Sequence, residues 1–247
     1  MKKIFIMLTV FFCIMMMSFS LFYQKTVNVL VVAELVGFEV EGIEENTTEN
    51  TNTMNTSLKK IGVVTYINPE TNQFAALGHS LVNNKEGKDI DGTCYNVEID
   101  SSYANLDENK NLGNIYLNEE KPIGSVYYDN YSGIYGKIEN INKQKYEKVE
   151  TENRYKIKTG KANLLIRLDG KNLESYEVEI LAINYIDSNK NLRIRITDER
   201  LINETGGIVQ GMSGTPVMQN GKLIGAINCV SISDPQDAYA IFIDKLI

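Results

Sequence analysis

Hydrophobic residues in this chain fall mostly in short runs, and clusters of Gly, Asn, Asp and Lys lie between many of them. Short apolar runs bounded by turn residues are typical of β-strands. No segment has a long, clean helical period, and the only helical turn is predicted near 199–203. This pattern favours an all-β barrel or sandwich. The predicted strands are 27–36, 61–67, 73–77, 93–99, 123–128, 134–138, 162–168, 176–186 and 192–196, with a hairpin over 216–227.

The first 22 residues differ from the rest of the chain. Lys2 and Lys3 precede an almost wholly apolar run over 4–22. That run is about as long as a membrane-spanning helix and is long for a signal-peptide core, although Ser18-Phe19-Ser20 offers small residues for cleavage. We therefore predict a signal peptide or membrane anchor at 1–22. In either case the body is exported and the two lysines stay inside.

A polar stretch separates two parts of the remaining chain. Residues 41–57 consist mainly of Glu, Asn and Thr, a composition that cannot bury enough apolar surface to fold and predicts a solvated linker. The predicted domains are thus 1–22, a short strand and disordered linker at 23–58, and a globular domain at 59–247. An accessible linker of this kind is also a candidate site of self-cleavage.

Composition excludes several classes of function. The net charge of −7 argues against binding to a phosphate backbone, so no nucleic-acid partner is expected. Cys13 lies in the leader, and Cys94 and Cys229 are expected to be buried free thiols unless the fold brings them together. One histidine and no Cys-x-x-Cys pair make a zinc site very unfavourable.

Two segments carry the residues of serine–histidine chemistry. The single histidine, His79, follows an early strand in Ala-Leu-Gly-His-Ser, and Ser213 lies in Gly-Met-Ser-Gly-Thr-Pro far downstream. Serine is a poor nucleophile until a base takes its proton. Backbone N–H groups must also stabilise the developing oxyanion, and Gly211 and Ser213 could supply them. This arrangement suits a chymotrypsin-type peptidase with one residue on each of two barrels, which needs neither metal nor cofactor.

Three longer segments resemble the stage IV sporulation protein B peptidase family. They are Ala76 to Ser80, Thr205 to Pro216 continuing through Asn220 to Ala226, and the ending from Ser233 to Ile243. The resemblance implies a trypsin-like serine endopeptidase with a chymotrypsin-like double β-barrel. In that family the enzyme crosses a membrane of the developing spore and cleaves a membrane-associated regulator, which releases the processing of a late sigma factor.

The resemblance also implies site residues and a location. It places the nucleophile on Ser213, the base on His79 and the acidic member of the triad on Asp198. The residues themselves leave other carboxylates open for the last role, namely Asp89, Asp91, Asp100 and Asp187. In a spore former, the enzyme would act between the mother-cell and forespore membranes.

The sequence departs from the family pattern, and two other functions compete with peptidase activity. The region before residue 59 is too short for the family's PDZ domain, Thr215 stands where serine is commoner, and Asn228-Cys229 replaces a segment that often holds a second histidine. The first rival function is a non-catalytic peptidase-like module that binds or regulates a partner. The second is a Ser–Lys hydrolase, for which no lysine stands out.

Overall fold

Two antiparallel β-barrels make up the fold in the computed structural model, which describes residues 26–43, 56–82, 86–99, 117–168, 172–186, 189–231 and 234–247. The strands of the first sheet run in the order β2-β3-β6-β5-β4-β1-β7, and an additional β1–β2 pairing closes it. These strands are β1 (Asn28–Ile43), β2 (Thr56–Ile67), β3 (Gln73–Ala76), β4 (Lys88–Ile99), β5 (Leu117–Asn130), β6 (Gly133–Ile138) and β7 (Glu147–Glu150).

The second barrel is closed in the order β10-β13-β12-β11-β8-β9. Its strands are β8 (Gly160–Ile166), β9 (Glu174–Ile183), β10 (Leu192–Ile196), β11 (Pro216–Gln219), β12 (Lys222–Val230) and β13 (Asp237–Phe242). The helix α1 (Glu199–Thr205) lies between β10 and β11, where one helical turn was expected. Three short 3-10 turns complete the elements: Lys143–Lys145, Arg154–Lys156 and Ile243–Lys245.

Each barrel encloses its own apolar core, because alternate residues of its strands point inward. Phe38 and Phe74 meet inside the first barrel with ring centroids 6.2 Å apart, and Tyr176 is among the largest buried side chains of the second. A third cluster joins the barrels and includes Val31 from β1 and Ile241 from β13. The double barrel confirms the predicted all-β architecture.

The domain boundary predicted at residue 59 differs from the structure. β1 pairs with β2, β4 and β7, so it is a strand of the first barrel and not a separate segment before it. The strand also extends beyond the predicted 27–36, and Ile43 pairs with Thr56. The polar linker is therefore shorter than its composition suggested, because both of its ends are recruited into this strand pair.

Two predictions fall wholly or partly outside the described residues. The leader at 1–22 is one of them, and most of the linker is the other. Within the part of the chain that is described, no helix is long and apolar enough to cross a membrane. Cys94 is buried and Cys229 is partly buried, and both are free thiols, as expected.

Candidate active site

His79 is presented by a tight reversal at the end of β3. Leu77 and Gly78 both have positive φ, at 71° and 68°, and this conformation turns the chain out of the strand just before the histidine. A β-carbon at Gly78 would lie 2.7 Å from the carbonyl oxygen of Ile227 in the second barrel. Glycine is therefore required for two reasons, the left-handed backbone and the close approach of the other barrel.

The Ser213 loop is docked against the first barrel. The carbonyl oxygen of Ser213 accepts a hydrogen bond from Val63 N at 2.7 Å, and Thr65 Oγ1 donates to the Gly214 carbonyl oxygen at 2.7 Å. Gly214 has φ 94°, and a β-carbon there would meet the Val63 carbonyl at 2.1 Å. The sequence thus places glycine where the two barrels approach too closely for any side chain.

Asn228 connects the two loops that carry His79 and Ser213. Its side-chain Nδ2 donates to the carbonyl oxygen of Gly78 at 2.5 Å, and its own carbonyl oxygen accepts from Ser213 Oγ at 3.2 Å. The residue sits at an irregularity in β12, between Ile227 and Cys229. The histidine and the serine predicted from the sequence therefore lie on neighbouring loops, one from each barrel, although Ser213 Oγ is bonded to Asn228 and not to His79.

The N–H groups of the serine loop differ in their hydrogen bonding. The N–H of Met212 is bonded to Val209 O and that of Gly214 to Ile227 O. By contrast, the N–H groups of Gly211 and Ser213 have no hydrogen-bond partner among the residues that the structure describes. Gly211 has φ 104°, a backbone conformation that other residues rarely adopt. The two free N–H groups flank Met212 on the same loop.

The half-buried His79 ring is held from one side by the backbone. Its Nδ1 lies 2.9 Å from the carbonyl oxygen of Ser80. Because a carbonyl oxygen only accepts, Nδ1 carries the proton and Nε2 of the neutral ring keeps its lone pair. Burial lowers the pKa of His79 below its ordinary value, and the positive charge of Lys60 lowers it further, while the contact with Ser80 and the charge of Asp129 oppose this.

Asp129, on β5, is the carboxylate that the structure brings to the histidine turn. It is fully buried, and its oxygens accept from Ser80 Oγ, from Leu81 N at 2.6 Å and from Val82 N at 3.4 Å. Burial raises the pKa of Asp129, although these donors counteract the shift. Sequence reasoning missed this residue, because an aspartate before Asn130-Tyr131-Ser132-Gly133 is typical of a solvated turn.

Asp198 has a different place from the one that the resemblance implied. It is the N-cap of α1, where its Oδ1 accepts from Arg200 N at 3.0 Å and its Oδ2 accepts from Glu177 N at 3.1 Å. The Arg200 guanidinium also binds it, at 2.8 Å, and lowers the pKa of Asp198 to about 2. Within the described chain it has no contact with His79, because its oxygens are taken up by the cap and by Arg200.

The structure describes two of the other four candidate carboxylates. Asp89 and Asp91 lie exposed on β4, and Asp100 and Asp187 fall outside the described residues. No group of three or more His, Cys, Asp or Glu side chains in the described ranges is placed to hold a metal ion.

A serine on a glycine-flanked loop of one barrel and the only histidine on the adjoining turn of the other define the class, a serine peptidase. The chain matches the model of the SpoIVB peptidase S55 family over residues 53–247, and it belongs to this family. It is therefore a serine endopeptidase, a hydrolase of peptide bonds.

Several solved structures are similar in fold, at low identity. The active form of the Rv3671c protease from M. tuberculosis shares 14% identity with a TM-score of 0.41, covering 85% of this chain and 76% of that one. The Ser343Ala mutant of Rv3671c, in its inactive form, shares 12% identity with a TM-score of 0.40 and covers 87% and 86% of the two chains. No curated protein matches the chain.

Proposed function

We propose that Ser213 is the nucleophile of this endopeptidase and that His79 is its general base. The observation that carries the proposal is the Asn228 bridge, which holds the histidine turn with its side chain and the serine hydroxyl with its carbonyl. The N–H groups of Gly211 and Ser213 would complete the site as oxyanion donors, because no hydrogen bond within the described ranges occupies them.

The reaction begins when Ser213 Oγ turns from the Asn228 carbonyl to His79 Nε2. Catalytic hydrogen bonds often form only once substrate is bound. Oγ attacks the substrate carbonyl and His79 takes its proton, while the oxyanion is held by the two N–H groups. His79 then gives that proton to the leaving amine, and a water molecule, activated in the same way, frees the acyl group and restores the serine.

Substrate would bind as an extended segment along the end of β12. The strand β11 begins at Pro216, which pairs with Ala226, so among the described strands residues 229–230 of β12 have a neighbour only on the β13 side. An open strand edge accepts an extended peptide through main-chain hydrogen bonds. This edge starts next to Asn228, beside Ser213, which puts a bound peptide bond within reach of the hydroxyl.

In the cell, we propose that the enzyme is exported, is held at a membrane by residues 4–22 and cleaves a membrane-associated regulator during sporulation signalling. Membership in the SpoIVB peptidase family supports the sporulation role. The apolar leader behind Lys2 and Lys3 supports the location. Extraction of membranes with alkaline carbonate tests the anchor, which requires the full chain to stay with the lipid.

Labelling with a fluorophosphonate probe tests the proposed chemistry. The full chain, purified in detergent, is compared with Ser213→Ala, His79→Ala and a control, Ser125→Ala, in which an exposed strand serine is replaced. We expect the wild type and the control to label and the two site variants not to. A folded wild type that does not label would contradict the proposal and favour the non-catalytic binding module.

Self-cleavage in the linker is a separate part of the proposal. The segment predicted to be accessible, 41–57, lies in the same molecule as the site. Mass spectrometry of the purified protein over time is expected to show N-termini within this stretch in the wild type and an intact chain in Ser213→Ala. An intact wild-type chain that labels with the probe would rule out self-cleavage.

A further inference from the structure

We infer that Asp129 serves His79 as a positioning residue, in place of Asp198, and acts through the turn formed by Ser80, Leu81 and Val82. This inference rests on the proposed role of His79 as the base. Serine–histidine sites usually require a carboxylate that orients the imidazole and stabilises its protonated form. In this chain the carboxylate does not bind the ring directly.

The Asp129 carboxylate is surrounded by donors from a single turn. All three hydrogen bonds to Asp129 come from the three residues that follow His79, namely Ser80 Oγ, Leu81 N and Val82 N. The side chain is fully buried, and no salt bridge to it is found in the described part of the molecule. A buried carboxylate without a cation is costly unless several donors satisfy it, so the turn is held in one conformation.

Ser80 connects this turn to the imidazole ring. The residue whose hydroxyl binds Asp129 is Ser80, and the carbonyl of Ser80 accepts the Nδ1 proton of His79 at 2.9 Å. Ser80 thus performs the orienting contact, and Asp129 fixes Ser80. The arrangement keeps the proton on Nδ1 and leaves Nε2 for the serine hydroxyl.

Charges near the turn also act on His79. Two ionisable groups of the first barrel act on the imidazole with opposite signs: Asp129 on β5 favours its protonated form, and Lys60 on β2 disfavours it. Lys60 Nζ donates to the carbonyl of Leu81 at 3.1 Å, so both groups hold the same turn. Removing one charge or the other should therefore shift the His79 titration in opposite directions.

The test uses the fact that the chain has a single histidine. In untagged full-length protein labelled with ¹⁵N-histidine, NMR titration of the imidazole reports the pKa of His79 without requiring any catalysis. We expect Asp129→Asn to lower this pKa, because the substitution removes a negative charge that favours the protonated imidazole. Lys60→Gln should raise it, and Asp198→Asn should leave it unchanged.

The ¹⁵N shifts in the same experiment report the tautomer. In the wild type, the His79 proton should lie on Nδ1. The variant Ser80→Ala removes only the hydroxyl donor and keeps the charge of Asp129. It should increase the exchange between the two tautomers of His79. The inference is overturned if Asp129→Asn leaves the His79 pKa in place, or if Asp198→Asn shifts it as much. If the two substitutions acted only by loosening the turn, Asp129→Asn and Lys60→Gln would shift the His79 pKa in the same direction.

The rate of fluorophosphonate labelling gives the functional result. Asp129→Asn should label at least ten-fold more slowly than the wild type while remaining folded, and Asp198→Asn should label at the wild-type rate. Equal rates for Asp129→Asn and the wild type would overturn the positioning role. Failure of the proposed function has a different signature, since a wild type that never labels can still show the expected shifts of the His79 pKa.

Discussion

Replacement of Asn228 by alanine tests whether the cross-barrel bridge aligns the two catalytic loops. The change removes the amide that donates to the Gly78 carbonyl at 2.5 Å. It keeps the backbone carbonyl that accepts from Ser213 Oγ at 3.2 Å. The perturbation is therefore confined to the link between the second barrel and the histidine turn.

The expected loss of stability follows from the buried position. Asn228 is 7% exposed, and truncation leaves the Gly78 carbonyl without this partner in a place that water does not easily reach. An unsatisfied buried acceptor costs about 1–3 kcal/mol. For a domain of this size each kcal/mol lowers the melting temperature by about 2–4 °C. A decrease of roughly 2–12 °C is thus expected.

Two assays and a matched control separate stability from alignment. Thermal unfolding gives the stability change, and the second-order rate of fluorophosphonate labelling, measured well below the melting temperature, gives the reactivity of Ser213. The control is Asn191→Ala, because Asn191 is also a buried asparagine and its Nδ2 donates to the carbonyls of Asn184 and Ile186, both in the second barrel. Both variants should melt earlier, and only Asn228→Ala should label at least ten-fold more slowly.

The predicted role of the Asn228 bridge is wrong if Asn228→Ala and Asn191→Ala give the same melting temperature and the same labelling rate. Equal labelling rates would mean that the Gly78 carbonyl and the histidine turn keep their place without the amide. An unchanged melting temperature for Asn228→Ala would mean that the acceptor finds another partner. Either result would remove the bridge as the basis for the alignment of His79 and Ser213.

Three further predictions concern the glycine of the serine loop, the acid limb of activity and the helix cap. Gly214→Ala places a β-carbon 2.1 Å from the Val63 carbonyl oxygen at a residue with φ 94°. This variant should lose fluorophosphonate labelling, and calorimetry should show a lower melting temperature. The control Gly221→Ala, at φ 74° with open space around it, should melt only slightly earlier and label normally. Burial lowers the pKa of His79, and the general base must be neutral to act. The value of kcat/KM should therefore persist as the pH falls below 6.5, the ordinary pKa of histidine. A midpoint of the acid limb above pH 6.5 would contradict the effect of burial. Asp198→Ala should cost about 0.5–2 kcal/mol in urea unfolding through loss of the cap while leaving the labelling rate unchanged, and slower labelling would return Asp198 to the site.

The sequence alone predicts the two residues with local signals. His79 is the only histidine, and Ser213 lies between glycines at 211 and 214 that the structure shows with positive φ. These signals can be recognised in the sequence because each one depends on the residue and its immediate neighbours. The all-β class can be recognised as well, since it follows from the short apolar runs.

Asp129 and β1 could not be recognised in this way, because their roles depend on distant partners. Nothing next to Asp129 shows that its oxygens will meet the turn at 80–82, some fifty residues earlier in the chain. β1 reads as a strand, but its pairing with β2, at Leu30 with Ile67, is decided by barrel closure and not by local composition. Asp198 shows the opposite error, since a short motif placed it in a role that its geometry as a helix cap does not support.

The docking of the serine loop on β2 has a consequence for the order of folding. Val63 donates to Ser213 across 150 positions of sequence, and Thr65 reaches Gly214 over a similar separation. The chain is synthesised from its N-terminus, so the first barrel can be complete before the serine loop has been made. The proteolytic centre is then absent until the final third of the chain has been synthesised, and a nascent or truncated molecule is unable to cut its neighbours.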